Sequence, residues 1–236
     1  MFNKLIFEEN FDKNIIDDKI WNIEIGGDGF GNNEWQFYTN SPKNVKIVNN
    51  QLVITAIKEN YQHRYFTSGK LTTRGKFFFK YGRVDIVAKL PSGKGLWPAL
   101  WMMPEKSNYG YWPRSGEIDI MESLGHEPER IYGTIHYGLP HKYHGGNITI
   151  DNPNEFHTYS VIWTEDSITW LVDERKIATT NEWFSKGNKE YKYPAPFDQE
   201  FFLIINLAVG GNFSGYPNKS TNFPANFIID SIRVYN

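Results

Sequence analysis

Short segments in which apolar and polar residues alternate occur along most of the chain. In such a segment successive side chains point to opposite faces, as in a β-strand with one buried face. The segments with this pattern are residues 51–57, 82–90, 158–163, 167–172 and 227–234. Glycine, proline and asparagine separate the segments, as expected for turns between strands. The pattern therefore predicts an all-β fold.

Three further stretches refine this prediction. Phe201–Val209 is an apolar run broken only by Asn206, which predicts a strand buried on both faces. Asp173 and Glu174 separate two apolar segments and predict a tight hairpin turn. A short helical turn is expected at Asn181–Phe184. Because many short strands with frequent turns are typical of two stacked sheets, the predicted architecture is a β-sandwich.

Residues 116–123 read Gly-Glu-Ile-Asp-Ile-Met-Glu-Ser and place three carboxylates within six positions. Strict alternation would put Glu117 and Asp119 on one face of a strand but would send Glu122 to the apolar face. A β-bulge at Ile120–Met121 would correct this phase, because a bulge lets two residues oppose one. We therefore predict a bulged strand with all three acids on one face.

Paired carboxylates on one strand face are typical of glycosidases. Retaining enzymes hold their two carboxyl groups about 5–5.5 Å apart, and inverting enzymes hold them about 6.5–9.5 Å apart. The spacing of Glu117 and Glu122 permits the shorter distance without requiring it. The alternative is a surface strand with acidic exposed positions, although like charges stacked on one face are unfavourable without a use.

The composition limits the class of protein. The chain has 236 residues, enough for one all-β domain spanning residues 1–236, and no cysteine, which excludes disulfides and thiol catalysis. A net charge of -2 with scattered lysines and arginines argues against a nucleic-acid partner. No apolar run reaches membrane-spanning length, so no membrane partner is expected either. Aromatic residues make up 17%, which favours a ring-rich core or a cleft in which rings stack on sugars.

Motifs around the acidic strand resemble the catalytic core of glycoside hydrolase family 16. Residues 95–104 (Gly-Leu-Trp-Pro-Ala-Leu-Trp-Met-Met-Pro) and 112–116 (Trp-Pro-Arg-Ser-Gly) precede the strand, and residues 133–137 (Gly-Thr-Ile-His-Tyr) follow it. Residues 31–39 (Gly-Asn-Asn-Glu-Trp-Gln-Phe-Tyr-Thr) are similar to a string in the laminarinase branch, the endo-β-1,3-glucanases. Met121 argues against the lichenase branch, which typically lacks this extra residue. The resemblance covers essentially the whole chain and implies a concanavalin-A-like jelly roll with a concave substrate cleft.

The resemblance implies a retaining endo-glycosidase that hydrolyses β-1,3 bonds in laminarin-type glucans. Glu117 would be the nucleophile, Glu122 the acid/base, and Asp119 a residue that orients Glu117. Catalysis would need no cofactor, and a monomer is expected. Other members of the family act on mixed-linkage β-glucan, agar, carrageenan or xyloglucan, so the polysaccharide stays open. A sugar-binding lectin on the same sandwich is a further alternative, because a fold does not fix a function.

Several other residues are candidates for binding sugar. Trp97 and Trp101 are four positions apart with a proline between them, so they are expected on one strand face, stacked on glucose rings or paired in the core. His136 could bond the acid/base or the substrate from the neighbouring strand, or could be a core histidine. Asn206 could support packing or contact sugar. Trp112 is a further candidate for stacking. Arg74 and Asn33 could donate hydrogen bonds to sugar hydroxyls, or they could be an ordinary surface arginine and a turn asparagine.

The resemblance also implies a structural Ca²⁺ on the side opposite the cleft. The matching positions are Glu9, Asn10, Asn50 and Asp230. The family usually has an acid in place of Asn10 and glycine in place of Asn50. An amide oxygen can still ligate calcium, but the loss of a charge should weaken the site. The alternative is that Asp230 caps a turn without a metal.

The first residues contain no apolar stretch long enough for a signal peptide. Either the protein is intracellular, or the sequence is a mature domain whose leader is missing, and the resemblance implies the second. The expected protein is therefore an extracellular mature domain.

Overall fold

The computed structural model describes residues 2–186 and 189–236, which form 20 β-strands. The strands are β1 (Leu5–Glu9), β2 (Asn22–Ile23), β3 (Gln36–Tyr38), β4 (Val45–Val48), β5 (Gln51–Tyr61), β6 (Arg64–Ser68), β7 (Lys70–Thr72), β8 (Phe78–Phe79), β9 (Gly82–Lys89), β10 (Leu96–Pro104), β11 (Glu117–Ser123), β12 (Arg130–Tyr137), β13 (Lys142–Thr149), β14 (His157–Trp163), β15 (Ile168–Val172), β16 (Arg175–Thr180), β17 (Ser185–Lys186), β18 (Glu190–Tyr191), β19 (Phe201–Val209) and β20 (Ala225–Tyr235). The predicted alternating segments all lie within these strands or overlap them closely.

Two large sheets contain most of the strands. The first has ten strands in the order β16-β15-β14-β9-β20-β5-β6-β3, with β1 beside β20 and β4 beside β5. The second has eight strands in the order β13-β12-β11-β10-β19-β7-β2, with β8 beside β19. Strands far apart in sequence are neighbours, as where β10 pairs with β19, and this connectivity is typical of a jelly roll. The predicted all-β sandwich is confirmed.

The hydrophobic core lies between the two sheets. Along β9 every second residue is buried, including Val84 and Ile86, as expected for a strand with one face on a core. The facing sheet contributes residues such as Ile118 and Leu100 to the same cluster. Strand β19 is buried along its whole length, Phe201–Val209, which confirms the interpretation of its continuous apolar run.

The expected helical turn at Asn181–Phe184 is wrong, because the backbone forms no helix within the described residues. Adjacent rings here point in different directions, as they do along an extended chain. Trp183 stacks on Tyr193 and contacts Phe197, while Phe184 packs against Tyr137. These tertiary contacts decide the conformation of this segment.

The predicted hairpin at Asp173 and Glu174 is confirmed. These two residues join β15 to β16 and have φ angles of 48° and 62°. Two successive positive φ angles are typical of a type I′ turn, whose twist matches that of the strands on either side.

Strand β11 contains the predicted bulge. Against β10, Met121 lies opposite Leu100, but the next pair joins Trp101 to Asp119, so Ile120 has no partner. The register against β12 also shifts between Asp119 and the next paired residue. The bulge therefore lies at Ile120–Met121, as the chemistry of the side chains required.

The bulge sorts the side chains of β11 between core and surface. Ile120 and Met121 are both buried in the core. Glu117, Asp119 and Glu122 all line the cleft on the opposite face of the sheet. The bulge therefore accommodates the extra residue and keeps all three acids on the cleft face.

Candidate active site

A cleft of about 1020 Å³ crosses the outer face of the eight-stranded sheet. This volume is at the upper end of the range of ligand pockets, about 300–1,000 Å³. Strands β7, β19, β10, β11, β12 and β13 each contribute lining residues, so the cleft runs across the strands. The acids of β11 lie near its middle, which leaves room for ligand on both sides.

Indole groups bind the two outer acids. Trp112 donates from Nε1 to Oε2 of Glu117 at 2.8 Å. Trp97 donates from Nε1 to Oε1 of Glu122 at 3.0 Å. Each bond fixes one carboxylate oxygen, so the orientation of both acids is set before any substrate binds.

The central acid, Asp119, is held from two sides. Its backbone oxygen accepts a hydrogen bond of 2.8 Å from Nε1 of Trp170, which lies on β15 of the opposite sheet. In the cleft, Oδ2 of Asp119 faces Nε2 of His136 at 3.3 Å. The side chain of Asp119 is only 3% exposed. The position of the bulged strand is therefore tied to the core beneath it.

Burial raises the pKa of all three acids. For Glu117 the largest cause is desolvation, followed by the nearby charge of Asp119, while His136 lowers the pKa. Desolvation is also the main cause for Asp119, with the charge of Glu122 second. The pKa of Glu122 is raised by burial and lowered by His136 and by the bond from Trp97. Three acids this close together cannot all be ionised as easily as free carboxyl groups, which favours keeping a proton within the cluster.

His136 lies opposite Glu117 on β12, as expected of a residue on the neighbouring strand. Its Nδ1 is 2.9 Å from Nε2 of His141, and the two rings are stacked. Burial lowers the pKa of His141, and His136 adds to this effect. Sequence reasoning missed His141 because it lies in a turn, where no strand pattern indicates which way a side chain faces.

The three candidate tryptophans all line the cleft. Trp97 and Trp101 share one face of β10, as predicted from their spacing. Nε1 of Trp101 donates to Oδ1 of Asn206 at 2.7 Å. Trp112 lies on a loop and its side chain is 51% exposed. Since each indole nitrogen is already bonded, the ring faces are what these residues offer to a ligand.

Asn206 both supports packing and lines the cleft. It is buried, accepts the bond from Trp101 and donates from Nδ2 to the hydroxyl of Tyr38 at 3.0 Å. The sequence left open whether Asn206 supports packing or contacts the ligand site. In the structure it does both, because it positions the ring of Trp101 and lines the cleft.

Several residues at one end of the cleft were missed by sequence reasoning. Lys70 lies 5.1 Å from the ring of Phe30 and 5.4 Å from that of Trp101. Burial lowers the pKa of Lys70 and raises that of Glu34, which lines the same end. Lys70 begins a strand of three residues, and only its long-range pairing with β19 brings it here. No local pattern could have indicated that position.

Two predicted sugar-binding residues lie outside the cleft lining. Asn33 has a φ of 57° and donates from Nδ2 to Oδ1 of Asn212 at 2.9 Å, so its turn conformation directs the amide to another loop. Arg74 is exposed, and its guanidinium lies 5.7 Å from the ring of Phe202. The structure therefore does not support the sugar contacts predicted for Asn33 and Arg74.

The four residues predicted to hold calcium lie on or beside neighbouring strands of the ten-stranded sheet, and none of them lines the cleft. Glu9 ends β1, which pairs with β20, and Asn10 follows it. Asn50 immediately precedes Gln51, whose Nε2 donates to Oδ1 of Asp230 at 2.9 Å. Asp230 itself lies at a register shift of β20.

The side chain of Glu9 does not fit a calcium ligand. Its Oε1 accepts a bond of 2.8 Å from the backbone of Phe11, and its Oε2 accepts one of 3.2 Å from Trp21. The oxygen donors of Asn10, Asn50 and Asp230 do fit a hard cation. Calcium at this position stays a prediction, and it would depend on one carboxylate and neutral oxygens.

Comparison with known proteins adds to this geometry. The model of the family described as Glycosyl hydrolases family 16 matches residues 32–222. Glucan endo-1,3-beta-glucosidase A1 of Niallia circulans is 42% identical over 257 residues, covering 98% of this chain and 37% of that protein. A beta-glucanase of Rhodothermus marinus is 40% identical over 243 residues, covering 98% of this chain and 85% of that protein. The chain therefore spans little more than a third of the first relative and most of the second.

A solved structure shows the same fold. The X-ray structure of the laminarinase from Rhodothermus marinus matches with a TM-score of 0.89 at 38% sequence identity. The match covers 99% of this chain and 97% of that chain. The architecture described above is therefore shared over nearly its whole length.

Proposed function

Because the chain belongs to glycoside hydrolase family 16, we propose that it is an endo-β-1,3-glucanase that hydrolyses laminarin-type glucans with retention of configuration. The observation that carries the proposal is the set of three acids on one bulged strand, with Asp119 buried and Glu117 and Glu122 half-buried, all lining the cleft. A sugar-binding lectin has no need for three acids held close together on one strand face, because their mutual repulsion costs stability. Catalysis gives them a use.

In the proposed reaction the two glutamates divide the work. Glu117 attacks the anomeric carbon while Glu122 protonates the leaving glycosidic oxygen, which gives a covalent glycosyl-enzyme. Glu122 then removes a proton from a water that attacks the same carbon and releases Glu117. Asp119 and Glu117 have carboxylate oxygens within 4.8 Å of each other, so Asp119 can hold a proton that stabilises ionised Glu117.

The charge of the cleft supports a neutral polysaccharide. Its described lining includes the carboxyl groups of Glu34, Glu117, Asp119 and Glu122, against one lysine, Lys70. Sulfate groups of a carrageenan would meet this excess of acid and be repelled. The same charges do not discriminate between neutral glucans of different linkage, so linkage has to be tested directly.

The proposal predicts rapid release of reducing ends from laminarin, with slower release from lichenan and none from carrageenan. Proton NMR of the early laminarin reaction should show the β-anomer first, because two inversions give net retention. An initial α-anomer would contradict the covalent mechanism. Glucan binding without product at any pH would instead favour a lectin. Faster cleavage of agarose or lichenan than of laminarin would place the enzyme in another substrate branch of the family.

The bond from Trp97 to Glu122 predicts a shift in the pH profile. The bond stabilises ionised Glu122 and so lowers its pKa. In Trp97→Phe the pKa of Glu122 should rise. Because Glu122 must be protonated to act as the acid, the decline of kcat/KM on the alkaline side should shift to higher pH. A hydrogen bond to a charged group is worth about 1.5–3 kcal/mol, which corresponds to about one pH unit or more.

The matched control for this shift is Trp101→Phe. Its indole bonds Asn206 rather than an acid, so the variant should weaken substrate binding without shifting this alkaline decline. Equal shifts in both variants, or a downward shift in Trp97→Phe, would show that this bond does not tune the acid.

We also propose that calcium, if bound near Asp230, stabilises the fold without taking part in turnover. A ligand that binds only the folded state at a hundredfold excess over its Kd contributes about 2.7 kcal/mol. The melting temperature should therefore fall on chelation while the low-temperature rate stays constant, and Asp230→Ala should lose the calcium response. If the wild-type protein has the same melting temperature in calcium and in chelator, the protein has no stabilising calcium site near Asp230.

The proposed place of action is outside the cell, since a polymeric glucan does not cross membranes, and the proposed state is a monomer. Among the described residues no helix is long and apolar enough to span a membrane. Activity in cell-free culture medium and the mass measured by light scattering would test the two proposals.

A further inference from the structure

The acids and a histidine form a tight group at one side of the catalytic strand. Ligating atoms of Glu117, Asp119 and His136 all lie within 4.8 Å of one another. Oδ2 of Asp119 is fully buried and accepts no hydrogen bond from the described residues, although Nε2 of His136 faces it at 3.3 Å. A buried carboxylate oxygen without a partner costs free energy, so this atom is poised to accept a ligand.

The histidine is arranged as metal-ligating histidines are. Its Nε2 faces Asp119 at 3.3 Å, while its Nδ1 is 2.9 Å from Nε2 of His141. A histidine that binds a metal through one nitrogen usually donates its other N–H to an acceptor, which fixes the ring and raises its basicity. His141 supplies that acceptor from outside the group.

We propose that Glu117, Asp119 and His136 bind one Zn²⁺ ion, with His141 supporting His136, and that the ion reversibly inhibits the enzyme by competing with substrate. One imidazole with two carboxylates suits zinc, whereas Ca²⁺ and Mg²⁺ prefer oxygen ligands alone. The inhibition, though not the binding, rests on the proposed glucanase function.

Electrostatics favours a cation here. Among the described residues that line the cleft, Lys70 is the one lysine or arginine, and it lies between the rings of Phe30 and Trp101. A divalent ion beside Glu117 would therefore offset the negative charge that the neighbouring carboxylates share. It would also occupy the lone pair with which Glu117 attacks the sugar, so the bound form cannot start the reaction.

Calorimetric titration of the wild-type protein with Zn²⁺ should show one site per chain, and laminarin oligosaccharides should raise its apparent Kd. Zn²⁺ should inhibit laminarin hydrolysis, and a chelator should restore it. His136→Ala should abolish binding. His141→Ala, which removes only the supporting acceptor, should weaken binding by about 10–100-fold.

Two histidines serve as controls. His144 lies on β13, but its ring packs beside Tyr137, so His144→Ala should leave the affinity for Zn²⁺ unchanged. His157 forms a surface pair with Asp173 at 2.6 Å and is another place where zinc could bind. Binding that survives His136→Ala and disappears in His157→Ala would overturn the proposal.

Binding and catalysis are measured separately, so the two hypotheses fail separately. A protein that hydrolyses laminarin but binds no Zn²⁺ refutes the metal site alone. A protein that binds Zn²⁺ through His136 but hydrolyses no glucan refutes the glucanase function and leaves the site. Unchanged affinity in a folded His141→Ala variant would refute the supporting role of His141.

Discussion

Glu117→Gln and Glu122→Gln will each lose most of the hydrolysis of laminarin, but only one of them will recover on an activated substrate. Removing a general acid costs about 10²–10⁴-fold in rate. Glu122→Gln should therefore fall by this amount on laminarin yet keep activity on an aryl β-glucoside with a good leaving group, which needs no proton. Glu117→Gln should be inactive on both substrates because no glycosyl-enzyme can form.

External azide separates the two roles further. In Glu122→Gln the covalent intermediate accumulates without a base, and azide can attack it and restore turnover to a β-glycosyl azide. Glu34→Gln is a matched control, since Glu34 is also a buried glutamate of the cleft but lies away from the bulged strand. It should change substrate binding without creating azide rescue. If Glu122→Gln is inactive on the aryl glycoside and azide restores nothing, the assignment of the roles is wrong.

Thermal stability shows whether these variants stay folded. Burial raises the pKa of both glutamates in the folded protein. The folded state therefore binds protons more tightly than the unfolded state, and stability falls as pH rises from the unfolded pKa through the folded one. Glutamine removes this penalty, so neither melting temperature should fall at neutral pH. A loss of activity with a raised melting temperature would be the trade-off expected at an active site.

The fold and the catalytic strand were predictable because their signals are local. Alternation indicated the strands, and the mismatch between alternation and chemistry at Glu122 located the bulge before any pairing was known. The hairpin at Asp173 and Glu174 depends on adjacent residues alone. These features need no knowledge of which strands are neighbours, so one sequence is enough to predict them.

The rest of the cleft depends on long-range pairing and side-chain direction. Lys70 enters the cleft because β7 pairs with β19, more than 130 positions away in sequence. Trp112 was predicted to stack on sugar, but its bond to Glu117 appears only once the loop is folded over the strand. Asn33 belongs to residues 31–39, a segment that does border the cleft. Its left-handed backbone nevertheless turns its amide towards Asn212. The sequence motif therefore predicted which segment borders the cleft, but not which of its side chains face the cleft.

Inserting one alanine between Met121 and Glu122 should abolish activity, because the number of residues between Glu117 and Glu122 determines which way Glu122 faces. Alternation beyond the bulge would then direct Glu122 into the core and the inserted alanine into the cleft. Loss of the general acid alone predicts a fall in rate of about 10²–10⁴-fold on laminarin. An unpaired carboxylate forced into the core would also lower the melting temperature. Circular dichroism and laminarin assays on the purified insertion variant measure the two effects.

The matched control keeps the bulge and removes only the side chain. Met121 is fully buried, so Met121→Ala should cost about 2–5 kcal/mol of stability through the cavity that it leaves. The backbone count between Glu117 and Glu122 is unchanged, and the folded fraction should keep its rate at low temperature. The comparison of the two variants therefore separates the effect of core packing on stability from the effect of residue count on the direction of Glu122. A soluble, folded insertion variant with full laminarinase activity would show that the residue count between Glu117 and Glu122 does not set the catalytic geometry.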